Sequence, residues 1–95
     1  MKIHIIMTIA VITCAVLFKL TATHKAIVIS LCMAVVFAEL VNTAIENVTD
    51  IIAPTYNVYA KRAKDASAGA VLVVSAGAAA VGLIIFVPYI LNFIF

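Results

Sequence analysis

The stretch A-I-V-I-S-L-C-M-A-V-V-F-A-E-L-V-N-T-A-I-E-N-V-T-D, Ala26 to Asp50, decides the fold. Its first half, Ala26 to Ala38, is uncharged and runs without glycine or proline into a second half that holds three of the chain's four acidic residues. With no breaker between the halves, one continuous helix is expected from about Ala26 to about Ile52. Pro54 then biases the residue before it out of helical geometry. At 3.6 residues per turn Glu39, Asn42, Glu46 and Asp50 stand at i, i+3, i+7 and i+11, so all four share one stripe. Carboxylates at membrane depth are costly; they mark an ion, proton or substrate site and face protein or water rather than lipid.

Composition places that helix in a membrane. Of the 95 residues, 67% are hydrophobic and the mean hydropathy is +1.32, whereas soluble domains are about 45–50% apolar. A soluble globule is excluded. A net charge of +2 with no large basic patch also excludes nucleic acid as a partner. Cys14 and Cys32 lie within apolar runs and read as small packing residues, not a disulfide or metal pair.

Upstream, Lys2, the uncharged run Ile5 to Phe18 and Lys19 have the outline of a signal peptide, but no A-x-A-like cleavage site surrounds Leu20 to Ala22. The segment reads instead as a spanning helix over 3–20, about 28 Å long against a hydrocarbon core of about 30 Å. His4 and His24 flank it as interfacial residues. Downstream, the connector from Ile52 to Asp65 carries Tyr56 and Tyr59, suited to an interface, and the chain's only basic cluster, Lys61, Arg62 and Lys64. Ala66 to Phe95 is uncharged and long enough for a third span over 66–90, with Pro88 near its far end. Small-xxx-small pairs at Ala66/Ala70, Ser75/Ala79 and Ala78/Gly82 favour close helix approach.

The expected fold is therefore an all-α membrane protein with three transmembrane helices, over approximately 3–20, 26–52 and 66–90. Lys2, Lys61, Arg62 and Lys64 fall on one side and Lys19 and Lys25 on the other, which makes the amino-terminal side cytoplasmic. Glu46, Asp50 and the basic cluster then converge at the cytoplasmic interface. Glu46 and Asp50 can hold Mg²⁺, which takes one or two carboxylates plus substrate phosphates. Lys64 supplies a cation for a phosphate of ATP, with Asp65 beside it to orient it or to meet a ribose hydroxyl. Glu39, about 10 Å deeper, is placed to act as general base on a hydroxyl presented from the bilayer. The arrangement reads as phosphoryl transfer to a lipid alcohol.

The same residues carry a resemblance. A-E-L-V-N-T-A-I-E-N-V-T-D (Ala38 to Asp50) followed by A-K-R-A-K-D-A-S-A-G-A-V (Ala60 to Val71) resembles the signature of the small prokaryotic diacylglycerol kinase and undecaprenol kinase family. The likeness covers roughly Lys2 to Tyr89, and E-x-x-N-x-x-x-E-x-x-x-D joined to A-K-D is far more selective than either motif alone. It implies that Glu39 is the catalytic base, Asn42 a site residue beside it, and Glu46 a metal ligand. Asp50, Lys64 and Asp65 match further polar site residues. The family's members are homotrimers of three-span subunits in the bacterial inner membrane, with active sites shared between chains. The P-T-Y connector and V-P-Y ending are similar to the Gram-positive type, in which undecaprenol is often the lipid.

Two departures are visible. The family's amino-terminal amphipathic helix and its acidic metal ligand have no counterpart before the first span, since no acid precedes Glu39, and Asn57 stands where a histidine is common. Other readings weigh against the kinase. The stripe can act as polar glue between helices. Glu39 can serve a proton- or cation-coupled carrier, although no inverted repeat is visible. A catalytically degenerate assembly protein is the third rival.

Overall fold

The computed structural model describes residues 2–17 and 19–95, with the side chains of 2–4 and 14–17 excepted; the expectations placed on the side chains of Lys2, His4 and Cys14 lie outside the described residues. Three helices follow one another: α1 (Lys2–Leu17), α2 (Ala22–Ile52) and α3 (Val58–Ile94). The molecule measures 57 × 20 × 17 Å. Its long dimension is set by α3, whose 37 residues make about 56 Å of helix at 1.5 Å per residue.

α1 and α2 are joined by a reversal in which Lys19 takes φ 53°. That left-handed geometry costs a side-chain-bearing residue about 1–2 kcal/mol. Leu20, only 4% exposed, sits directly after it and packs into the small core with Val28 and Ile85. Thr21 then starts α2, its hydroxyl accepting the amide proton of His24 at 3.2 Å. α2 is unbroken through the acidic stripe and ends at Ile52, two residues before Pro54, as the absence of internal breakers leads one to expect.

α3 starts earlier than expected. The segment from Val58 to Asp65, expected as connector, is helical, because Asn57 caps it. Asn57 Oδ1 accepts from the amides of Tyr59 (2.9 Å) and Ala60 (3.1 Å), satisfying two of the donors a helix start leaves open. The basic cluster thus stands on the first turns of a helix. At its far end α3 continues past Pro88 to Ile94.

α2 and α3 lie antiparallel along most of their length, and α2 also packs against α1. Four contacts fix the α2–α3 register: Asp50 with Lys64, Asn42 with Ser67, Val28 with Ile85, and His24 with Tyr89. At the end away from the acids, His24 Nδ1 and the Tyr89 hydroxyl are 2.9 Å apart with their rings edge-on at 85°, and the same hydroxyl accepts from the Thr21 amide at 3.4 Å. This ties the start of α2 to the end of α3.

Little of the chain is buried in itself. Beyond Leu20, Val28 and Ile85 no described hydrophobic residue is fully enclosed, and residues such as Ile51, Leu72, Ile84 and Phe93 are largely exposed. Water would not tolerate so continuous an apolar surface, and α2 and α3 are each long and apolar enough to cross a membrane. The protein is an all-α membrane protein. Its small-residue faces remain open within the chain: a Cβ built on Gly69, Gly77 or Gly82 meets nothing within 4 Å.

Candidate active site at the α2–α3 junction

The acidic half of α2 faces the first turns of α3, and the two helices share a polar seam there. Asp50 and Lys64 form an ion pair across it. Eight residues deeper on α2, about 12 Å along the axis, Asn42 Oδ1 lies 2.6 Å from the Ser67 hydroxyl. Asn42 also donates from Nδ2 to Glu46 Oε1 at 3.3 Å, the i,i+4 contact that the stripe spacing requires. Ser67, 8% exposed, is the one buried polar side chain among the described residues.

Four of the six candidate residues fall into two linked groups. Asn42 and Glu46 form the first group, and Asp50 and Lys64 the second; Ser67 joins them, since its hydroxyl meets Asn42 and lies 3.0 Å from the Lys64 carbonyl. Asp65 is turned away to Lys61, at 2.9 Å along α3. That pair is more than 60% exposed on both sides and contributes only a few tenths of a kcal/mol to the helix. Glu39 is half-buried one turn below Asn42, and its carbonyl accepts from the Thr43 hydroxyl at 3.0 Å.

One hollow borders the seam and a second lies about 10 Å from it along the helices. A cavity of about 230 Å³ lies between the connector and the start of α3, lined by Tyr56, Asn57, Lys61, Lys64 and Asp65. A larger one of about 600 Å³ lies between the three helices, lined by apolar residues such as Val11, Val28, Val35, Leu83 and Phe86. Val28, Cys32 and Val35 of its wall continue deeper, at helical spacing, the stripe that carries Glu39, Asn42 and Glu46. The apolar hollow thus ends at Val35, one turn from Glu39, and the charged hollow lies at the Lys64 end of the seam.

Among the described residues no three His, Cys, Asp or Glu side chains gather into a metal-binding group. A divalent cation that leans on substrate phosphates needs fewer, and Glu46, exposed and oriented by Asn42, supplies a carboxylate of the right kind. Asp50 is paired with Lys64 through one carboxylate oxygen, Oδ1. Sequence reasoning missed Ser67, whose hydroxyl looks like any small residue in the run A-S-A-G-A; it also missed the Asp50–Lys64 pair, although two opposite charges at adjoining ends of antiparallel helices were there to be read.

The sequence pattern of the family described as prokaryotic diacylglycerol kinase matches residues 1–86. An undecaprenol kinase of Bacillus subtilis is 40% identical over 79 residues, covering 83% of this chain and 64% of its own length. A diacylglycerol kinase of Synechocystis sp. is 39% identical over 92 residues, covering 96% of this chain and 53% of its own length. The chain thus spans roughly half to two thirds of these relatives. No solved structure matches it. With nine-tenths of its residues inside the family pattern, the chain belongs to the prokaryotic diacylglycerol kinase family.

Proposed function

We propose that this chain forms the membrane-embedded catalytic part of a lipid kinase that transfers the γ-phosphate of ATP to a lipid alcohol, diacylglycerol or undecaprenol, with Mg²⁺. The observation that carries the reading is the polar seam of Asn42, Glu46, Asp50, Lys64 and Ser67, set between an apolar hollow and a charged one. A kinase acting on a lipid needs a hydrocarbon-lined approach for its acceptor and a wet, charged approach for its donor. Both family relatives carry kinase names, one for each of the two lipids.

In this reading the phosphates of ATP enter beside Lys61 and Lys64, and Lys64 exchanges Asp50 for a phosphate oxygen. Glu46, with Asp50 in reach, would hold Mg²⁺, which when bound would supply neutralisation of the charge on the phosphates. Glu39 takes the proton of the lipid hydroxyl; that oxygen bonds to the γ-phosphorus as the bond to the β–γ bridging oxygen breaks and ADP leaves. Asn42, next to both carboxylates on the stripe, orients the Glu46 side chain. Asp65 serves the nucleotide from the rim.

The chain would cross the bacterial inner membrane three times with its amino terminus cytoplasmic and assemble as a homotrimer. The open Gly69, Gly77 and Gly82 faces and the exposed apolar flanks support assembly, since small-residue faces let helices approach closely in lipid. Orientation has a direct check. A cysteine at Tyr56, on the connector, should react with an impermeant maleimide only after the cells are opened, and labelling from outside intact cells overturns the placement of the nucleotide site.

The kinase reading itself is tested with purified full-length protein in lipid nanodiscs supplied with ATP, Mg²⁺ and each lipid in turn. Phosphorylated lipid above the level of a Glu39→Gln control is expected. Proton uptake or release across sealed vesicles without lipid phosphorylation would establish the carrier reading instead, and neither activity would leave a structural assembly role.

A further inference from the structure

We propose that Ser67 is a positioning residue whose hydroxyl fixes the orientation of the Asn42 amide and, through it, holds the Glu46 carboxylate ready for a divalent cation; this rests on the kinase reading above. A serine hydroxyl has one proton to give, and Ser67 Oγ lies 2.6 Å from Asn42 Oδ1 and 3.0 Å from the Lys64 carbonyl oxygen. If the proton pointed at Lys64, two oxygen lone pairs would face each other at 2.6 Å. The proton therefore goes to Asn42.

The other end of the amide leads to the same assignment. An ionised Glu46 accepts only, so the group that Asn42 presents to Glu46 Oε1 at 3.3 Å must be its NH₂. Its carbonyl then faces α3, where it needs a donor, and Ser67 is the donor it meets. Rotating the amide by half a turn would set its carbonyl oxygen against the carboxylate and its NH₂ against the Ser67 hydroxyl. The chain Ser67 to Asn42 to Glu46 thus runs in one direction only.

Neighbouring hydroxyls cannot replace it. Thr43 donates to the Glu39 carbonyl at 3.0 Å, and the Thr49 hydroxyl lies 2.9 Å from the carbonyls of both Ile45 and Glu46, so both are engaged within α2. Ser67 alone among them crosses the seam, and it is buried, whereas Glu46 is exposed on its helix. An exposed glutamate on a helix samples several rotamers, and a hydrogen bond from a neighbour that is itself anchored to a second helix restricts it to one. Removal of such outer partners of a metal ligand lowers metal affinity by about 10–100-fold.

The test uses the full-length protein in lipid nanodiscs and reads Mn²⁺ binding by electron paramagnetic resonance in the presence of a non-hydrolysable ATP analogue, with analogue affinity measured separately. Ser67→Ala should weaken Mn²⁺ binding about 10-fold without changing assembly, and Ser67→Thr, which keeps the hydroxyl, should restore it. In a Glu46→Gln background, Ser67→Ala should add nothing. Unchanged Mn²⁺ affinity in Ser67→Ala, or an equal further loss in the Glu46→Gln background, overturns the proposal. Should Ser67→Ala fail to assemble, Ser67→Cys, a weaker donor, is read by the same criteria, with a smaller loss expected. If Glu46→Gln alone leaves Mn²⁺ binding intact, the reading of the metal position fails, and that outcome is distinct from failure at Ser67.

Discussion

Glu39→Gln is expected to lower lipid phosphorylation by about 10²–10⁴-fold, the usual contribution of a positioned general base, while nucleotide affinity stays close to that of the unaltered protein. The separation follows from where the residue stands. Glu39 lies about 16 Å along α2 from Asp50, below the ion pair and the Asn42–Glu46 contact that would meet the nucleotide and its metal. Val35, one turn deeper on the same stripe, already lines the apolar hollow. Glu39 is thus the carboxylate nearest the place where a lipid hydroxyl would arrive. Glutamine keeps the shape and loses the ability to take a proton, so substrate approach is preserved and transfer is not. Turnover in mixed micelles, paired with a nucleotide-binding isotherm, makes the comparison. Turnover close to that of the unaltered protein would show that Glu39 is not the base. A parallel loss of nucleotide affinity would point instead to a collapsed seam, the outcome expected if the stripe is only glue between helices.

How much of this was legible from the residues depends on the kind of signal each gives. Ala26 to Ile52 holds no glycine or proline, and α2 runs continuous through it. Side-chain spacing on a continuous helix is fixed by geometry, so the stripe followed without any tertiary information. The start of α3 was less legible because charge and a nearby proline resemble loop chemistry. Asn57 ahead of an apolar pair was the counter-signal, and an asparagine there is a helix cap before it is anything else. The reversal at Lys19 gave no warning, since lysine has no special tolerance for positive φ; burial of Leu20 holds it there. Partners across the seam depend on helix register, which no single helix specifies. That is why Lys64 was matched with its sequence neighbour Asp65, whereas the folded chain pairs it with Asp50 and leaves Asp65 to Lys61.

That exchange of partners supplies the second large expected effect. Lys64→Met should reduce kcat/KM for ATP by about 10²–10³-fold, the scale on which a single preorganised charge at a transferring group acts. The ion pair it removes cannot account for such a loss through the fold. Its side chains are 39% and 62% exposed, and pairs so open to solvent contribute at most about 1 kcal/mol. The double exchange Asp50→Lys with Lys64→Asp separates the two roles, because it rebuilds an ion pair across the same seam with the charges reversed. If Lys64 serves only to clasp α3 to α2, the exchanged protein recovers activity along with helix association. If Lys64 takes a phosphate from the nucleotide and releases Asp50 toward the metal, the exchange sets a carboxylate against the phosphates and a lysine against the metal. Association should then return while activity stays as low as in Lys64→Met, or lower. The measurement is kcat/KM for ATP alongside thermal stability in detergent for the unaltered, single and exchanged proteins. Recovery of both in the exchanged protein would assign the pair to structure and remove Lys64 from the site.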